Sequence, residues 1–156
     1  MTLPKDRIIS LDLNADLSRF ADRYAGCLIL THDGQILVQQ RGEDWDRYPG
    51  FLTEFGGRIE PGEVPLDAII RELKEELGGI VHPQDVLSLG VMTEQVSQYT
   101  ELLYVYFWQD KNKTITGCYE GEARFYASLQ DVLKHPKKMD SLCWLLDTCQ
   151  KRRLIR

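Results

Sequence analysis

The segment from Gly57 to Gly79, GRIEPGEVPLDAIIRELKEELGG, constrains this chain more than any other. Between Pro65 and Leu77 the apolar residues Leu66, Ile69, Ile70, Leu73 and Leu77 recur at intervals of three and four, which predicts a helix that buries one narrow stripe. Glu72, Glu75 and Glu76 stand off that stripe. Their offsets bring all three carboxylates onto one adjoining face, within about 100° of arc at 3.6 residues per turn. Like charges so crowded repel unless a cation neutralises them. Alone, the ELKEE string reads as a solvated helix face carrying an Arg71 to Glu75 pair. The approach to the helix argues for more: Phe55-Gly56-Gly57 and then Glu60-Pro61-Gly62-Glu63 form a loop whose glycines let backbone carbonyls reach a cation and whose Pro-Gly fixes a turn. Oxygen-only donors at this density suit Mg²⁺ or Mn²⁺ rather than zinc.

The rest of the chain sets the context for such a site. Its 156 residues are predicted to fold as a single domain spanning 1–156. A net charge of -5 offers no general attraction for a nucleic-acid backbone or an anionic membrane, so a phosphorylated small molecule would need a local cationic device. No nucleic acid and no membrane is therefore expected as a partner. Cys27, Cys118, Cys143 and Cys149 form no CxxC pair and no zinc spacing with His32, His82 and His135, and they read as reduced, partly buried thiols. Met1 to Ser10 lacks a basic head and an apolar h-region, no run approaches ~20 apolar residues, and the cytoplasm is the expected compartment.

A short helix is predicted over Leu13 to Tyr24, capped by Asn14. Strands are predicted at Ala25 to Thr31 and Gln35 to Arg41, joined by an Asp33-Gly34 turn, and at Val86 to Val96, Leu102 to Gln109, Thr114 to Cys118 and Glu122 to Tyr126. Gly42 to Phe55 reads as loop. Ser128 opens a helix with Leu129, Val132 and Leu133 inward, and Asp140 or Ser141 opens a last one striped by Leu142, Leu145, Leu146 and Cys149. The basic Lys151, Arg152 and Arg153 suit the negative end of that last helix. Hairpins with helices covering the faces predict a mixed sheet in an α+β or α/β sandwich.

The segment resembles the signature of the Nudix hydrolases: Gly57, Glu63, Arg71-Glu72, Leu73, Glu75-Glu76 and Gly78 keep every spacing of that family. Two positions depart from it. Gly79 stands where an aliphatic residue is usual, with the apolar contact expected to pass to Ile80, and Phe55 stands where many members have proline. The resemblance implies an α/β/α sandwich, and metal ligation by Glu72, Glu75 and Glu76 with the Gly57 carbonyl. It also implies an ion pair between Glu63 and Arg71. Glu72 is the first choice of general base, and Glu76 joins it in the catalytic set. A later glutamate is an open alternative, with Glu122 preferred to Glu120 on the premise that both share one strand face. Arg41 is the expected phosphate contact; Trp45 and Phe55, among the aromatics of the preceding loop, are the expected base contacts, with core packing as the competing role.

The resemblance implies a Mg²⁺-dependent pyrophosphohydrolase, with Mn²⁺ as a substitute, in which water attacks phosphorus of a nucleoside diphosphate linked to another moiety. Nucleoside triphosphates and nucleotide sugars lead the candidates. The marks of NADH, ADP-ribose and coenzyme A subfamilies are absent, as is a catalytic cysteine motif of isoprenoid diphosphate isomerases near Cys27. The reading from a different class is a Nudix-fold nucleotide-binding or regulatory module without turnover. Oligomeric state is open, a homodimer included.

Overall fold

The computed structural model describes residues 7–156, so most of the Met1 to Ser10 segment lies outside the described residues. The chain opens with β1 (Ile8–Leu11) and runs into β2 (Asp22–Leu30) and β3 (Ile36–Gln40). A pair of short strands follows, β4 (Leu52–Thr53) and β5 (Phe55–Arg58), leading to helix α1 (Pro65–Leu77). Next come β6 (Val86–Glu94), β7 (Glu101–Gln109), β8 (Glu122–Tyr126), α2 (Leu129–Leu133) and α3 (Asp140–Lys151). The bounds of α1 match the expected ones, as do those of β8.

The strands form one mixed sheet in the order β1-β6-β7-β2-β3-β4. Among the described strands only the β2–β7 pair is parallel, in register from Asp22 opposite Glu101 to Leu30 opposite Gln109. Residues 25–30 of β2 are all buried, because that strand is covered on both faces. Its Ala25, Cys27 and Ile29 join a cluster with Ile69, Leu73 and Leu77 of α1. Its Leu28 and Leu30 pack with Leu142, Leu145, Leu146 and Cys149 of α3. The helices thus sandwich the sheet. All four cysteines are free.

The sheet forks beside β2. The β2–β3 hairpin pairs only at Ile29 with Leu37 and Leu30 with Ile36. Below that, β2 takes β5 as partner, with Gly26 opposite Gly56, while β3 turns to β4 and β8. The fork opens a cleft.

Several expectations are corrected. Leu13 to Tyr24 is not a helix: the Asp12 and Asp16 carboxylates accept from the backbone N–H of Asn14 and Ser18, and such local bonds favour turns over helix. Phe20 and Leu17 instead pack with Val91 and Leu102. The loop expected over Gly42 to Phe55 contains β4 and the start of β5, which exist through pairing with β3 and β2 rather than through local propensity. Thr114 to Cys118 is not a strand; it wraps the end of α1, where the Thr116 N–H donates to the Leu77 carbonyl at 2.9 Å. Gly78 ends α1 at φ 71°, in the left-handed region that glycine tolerates. Ile80 is exposed, and the buried apolar residue past that turn is Val81.

Candidate active site

Arg71 organises the loop that leads into α1. Its Nε and Nη2 donate to the two carboxylate oxygens of Glu63 at 2.9 and 3.0 Å, and Nη2 also donates to the Arg58 carbonyl at 3.0 Å. Nη1 reaches Glu72 at 2.9 Å and Glu75 at 3.3 Å. One guanidinium therefore clasps loop and helix together, the forked geometry a lysine could not supply. It holds the Glu63 carboxyl down at about 2. A carboxylate with a lowered folded value adds stability above its ordinary value of 4.5 and loses it as pH falls toward 2. Glu63→Gln is accordingly expected to lower the melting temperature at pH 7 and to reduce activity. The difference in melting temperature from the wild type should vanish as pH falls from 4.5 to about 2. Unchanged melting and kinetics at pH 7 would leave the clasp without a role.

Around Gly56 and Gly57 the carboxylates converge. A side-chain carbon on Gly57 would sit 2.5 Å from the Glu72 carboxyl, so the carboxyl lies directly against that glycine. The Gly56 N–H donates to Glu76 Oε2 at 3.1 Å. Glu76 is buried although its neighbours on the same face are not. Burial pushes its carboxyl up to about 9, reinforced by a hydrogen bond with the Glu120 carboxyl and by the charges of Glu120 and Glu72. Burial likewise raises Glu72, opposed by Arg71. Glu75 stays exposed and is held by Arg71.

Of the two later glutamates, Glu120 is the one that reaches this cluster. Glu122 is exposed at the start of β8 and pairs with Arg124 at 3.4 Å. The shared-face premise fails because Gly121 has φ 68°, which breaks the strand alternation between them. Glu120 is positioned from the turn: its carbonyl accepts from the Gln39 amide at 2.8 Å, and the adjacent Tyr119 N–H donates to the Glu76 carbonyl at 2.7 Å. A glycine inside an apparent strand was the available signal.

The donor set at this locus is oxygen only, which suits a divalent cation of the Mg²⁺ class. Among the described residues no three acidic, histidine or cysteine side chains yet converge as a closed metal cage.

The cleft beside these residues has a volume of ≈ 290 Å³ and is walled by Gly56 and Gly57, Arg41 and Arg47. Arg41 Nε donates to the Arg47 carbonyl at 2.8 Å, and its guanidinium lies 4.7 Å from the Trp45 ring centroid. Trp45 backs Arg41 without lining the cleft; Tyr48 lines it instead. Phe55 is fully buried in the cluster beneath α1, which corrects its expected substrate contact: the strand pairing of Cys27 with Phe55 turns the ring into the core. Arg47, Glu54 and Glu94 also line the cleft and carried no periodic or motif signal in the sequence.

With this geometry in view, comparisons with known proteins agree. The NUDIX domain family matches residues 21–145. A CTP pyrophosphohydrolase of Escherichia coli is 31% identical over 111 residues, covering 69% of this chain and 77% of that protein. Nucleoside triphosphatase NudI of Escherichia fergusonii is 40% identical over 52 residues, a match that spans 33% of this chain and 37% of that one. Among solved structures, the NUDIX domain of Shewanella oneidensis NrtR complexed with ADP ribose superposes with a TM-score of 0.65 at 18% identity, covering 90% of this chain and 94% of that one.

Proposed function

This chain belongs to the Nudix family, and from that premise we propose that it is a divalent-metal-dependent pyrophosphohydrolase cleaving a nucleoside triphosphate or a nucleotide sugar. Nudix hydrolases act on nucleotide phosphoanhydride bonds and generally use divalent metals. The observation that carries the finer reading is the placing of the Glu76 carboxyl on the Gly56 N–H and the Glu72 carboxyl against Gly57, with Glu120 bonded to Glu76, beside a cleft that also presents Arg41 and Arg47. The relatives named for CTP pyrophosphohydrolysis and nucleoside triphosphate hydrolysis support the substrate class.

Glu72 and Glu76, with the Gly57 carbonyl, would hold Mg²⁺ or Mn²⁺, and Glu120 or Glu75 would complete the set. When bound, such a cation neutralises phosphate charge and lowers the barrier to attack on phosphorus. The chain's own groups do the rest. Arg41 and Arg47 attract and orient the polyphosphate, a local pair of positive charges on a protein whose net charge is -5. Glu72 accepts the proton of the attacking water, helped by a value raised by burial. Glu63 and Arg71 fix the loop that sets the Gly57 carbonyl. We extend the reading to one domain over residues 1–156, in the cytoplasm, with a small-molecule nucleotide as partner. Among the described residues no helix is long and apolar enough to cross a membrane.

The test is hydrolysis of a nucleotide panel with and without Mg²⁺, scored by phosphate release after phosphatase coupling. Glu120→Gln should lower kcat by about tenfold or more, while Glu122→Gln should stay within about twofold. The reverse order would return the later glutamate to β8. Nucleotide binding without turnover under any divalent metal would favour the binding-module reading, to which the ADP-ribose complex of the NrtR domain lends its precedent.

A further inference from the structure

Between Trp45 and Phe55 the chain carries four aromatic residues, all among the described ones, and the fold gives three of them other work. Phe55 is in the core, and Trp45 lies against the Arg41 guanidinium. Phe51 meets Tyr48 edge to face, with ring centroids 5.3 Å apart and planes at 72°. Of the four, Tyr48 alone lines the cleft. It is half-buried, and an edge-to-face pair occupies at most one face of its ring.

Tyr48 is held there against its backbone preference. Its φ of 48° lies in the left-handed region, where a bulky side chain is an outlier, and Pro49 follows it. The loop is pinned on both sides of that strain: the Arg47 carbonyl accepts from Arg41 Nε at 2.8 Å, and the Tyr48 carbonyl accepts from the Phe51 N–H at 3.3 Å. The bland account is that Tyr48 only packs on Phe51. Packing alone explains neither the strained backbone, which a glycine would relax, nor a ring placed on the cleft. Strain that a surrounding network enforces beside a cavity is the mark of a ligand clamp. The residue before it, Arg47, lines the same cleft, and its charge acts on the phenol of Tyr24 on the β2 side of the fork. The tip of the loop therefore presents a cation and a flat ring side by side, which are the two chemistries of a nucleotide: a charged tail and an aromatic base.

Resting on the hydrolase reading above, we propose that Tyr48 is the platform on which the nucleobase stacks, so that the cleft takes nucleotides by ring area rather than by base identity. Every base has a π-face, and stacking on an aromatic side chain is tolerant of sequence for that reason. Purines, with the larger ring, are held more tightly than pyrimidines. The stack lies away from the phosphorus under attack and is made equally in the ground and transition states, so it acts on KM and leaves kcat alone.

The experiment measures kcat and KM with Mg²⁺ for ATP and CTP, and the inhibition constant of inorganic tripolyphosphate as a competitor without a base. Calorimetric binding of the α,β-methylene analogues of ATP and CTP accompanies them, for the wild type, Tyr48→Ala, Tyr48→Phe and Tyr48→Gly. Tyr48→Ala should raise KM and the analogue Kd by about tenfold, more for ATP than for CTP, with kcat and the tripolyphosphate constant within about twofold. Tyr48→Phe keeps the ring and should restore KM. Tyr48→Gly suits the left-handed backbone, should behave as Tyr48→Ala, and carries the test if the alanine variant does not fold. Unchanged KM in both ring-less variants would overturn the proposal, as would a tripolyphosphate constant that rises in proportion, which would make Tyr48 part of the phosphate wall. A KM loss in Tyr48→Phe as large as in Tyr48→Ala would assign the contact to the hydroxyl and overturn it too. The same loss on Tyr24→Ala, with none on Tyr48→Ala, would move the base to β2. Analogue binding that weakens as expected, in a protein that hydrolyses none of the nucleotides, would uphold the stacking platform and sink the enzyme.

Discussion

Glu76→Gln is expected to cut Mg²⁺-dependent hydrolysis about a hundredfold or more while making the metal-free protein more stable above pH 5. Glu76 is buried between the Gly56 amide and two other carboxyls, and burial is the largest reason its value stands near 9. A carboxyl raised in the folded state costs stability once pH exceeds its ordinary 4.5, and the cost grows until pH reaches the folded value. Glutamine keeps the shape and never ionises. In chelator, the variant and the wild type should therefore melt together at pH 4, with the variant melting higher at pH 8. Activity moves the other way, because an amide cannot supply the charge that holds a divalent cation. Comparable turnover at saturating Mg²⁺ would remove this helix from the active site.

Gly57→Ala and Gly56→Ala, one residue apart, are expected to fail for different reasons. At Gly57 a methyl group meets the Glu72 carboxyl, the far end of a flexible side chain, 2.5 Å away. The side chain can swing aside, so the loss in stability should stay within about 1 kcal/mol. Swinging aside displaces the proposed base, and kcat should fall about a hundredfold. At Gly56 the methyl group meets the Ala25 carbonyl oxygen at 2.0 Å and the Gly26 Cα at 2.8 Å, with φ at 154°. That backbone belongs to β2, paired on both sides, and cannot yield without opening the sheet. A loss of about 3 kcal/mol or more is expected by denaturant titration. Gly57→Ala with full activity would show that Glu72 need not lie against that glycine.

The pattern of success in the sequence reading follows from where each element gets its stability. Helix α1 was legible to the residue because its stripe is continuous from Leu66 to Leu77 and Gly78 stops it. The stripe of α3 was equally plain. Strands β4 and β5 were hidden because Phe55-Gly56-Gly57 has almost no side chain to show a period; what makes it a strand is Gly26 across the ladder. The expected helix over Leu13 to Tyr24 had its spacing, yet Asp12 and Asp16 spend their carboxylates on nearby amides. At the candidate site, the helix glutamates could be read from spacing and the Glu63–Arg71 pair from the family resemblance, whereas Glu54 and Glu94 could not. They lie 40 positions apart in the chain and meet only through Ser141.

The parallel pairing of β2 with β7 sets the order in which this chain can become a protein. Strand β2 is an apolar run near the start, yet the partner that pairs with its whole length, from Asp22 to Leu30, is not made until Gln109 has been added. During synthesis β2 and the acidic helix leave the ribosome well before the strand that fixes them, and such long-range pairings close late and slowly. Until then the strand is an open edge with an exposed apolar face, the stage at which the nascent chain is most prone to join with another. Chaperone dependence and aggregation should accordingly peak for arrested chains that end between α1 and β7, and fall once β7 has emerged.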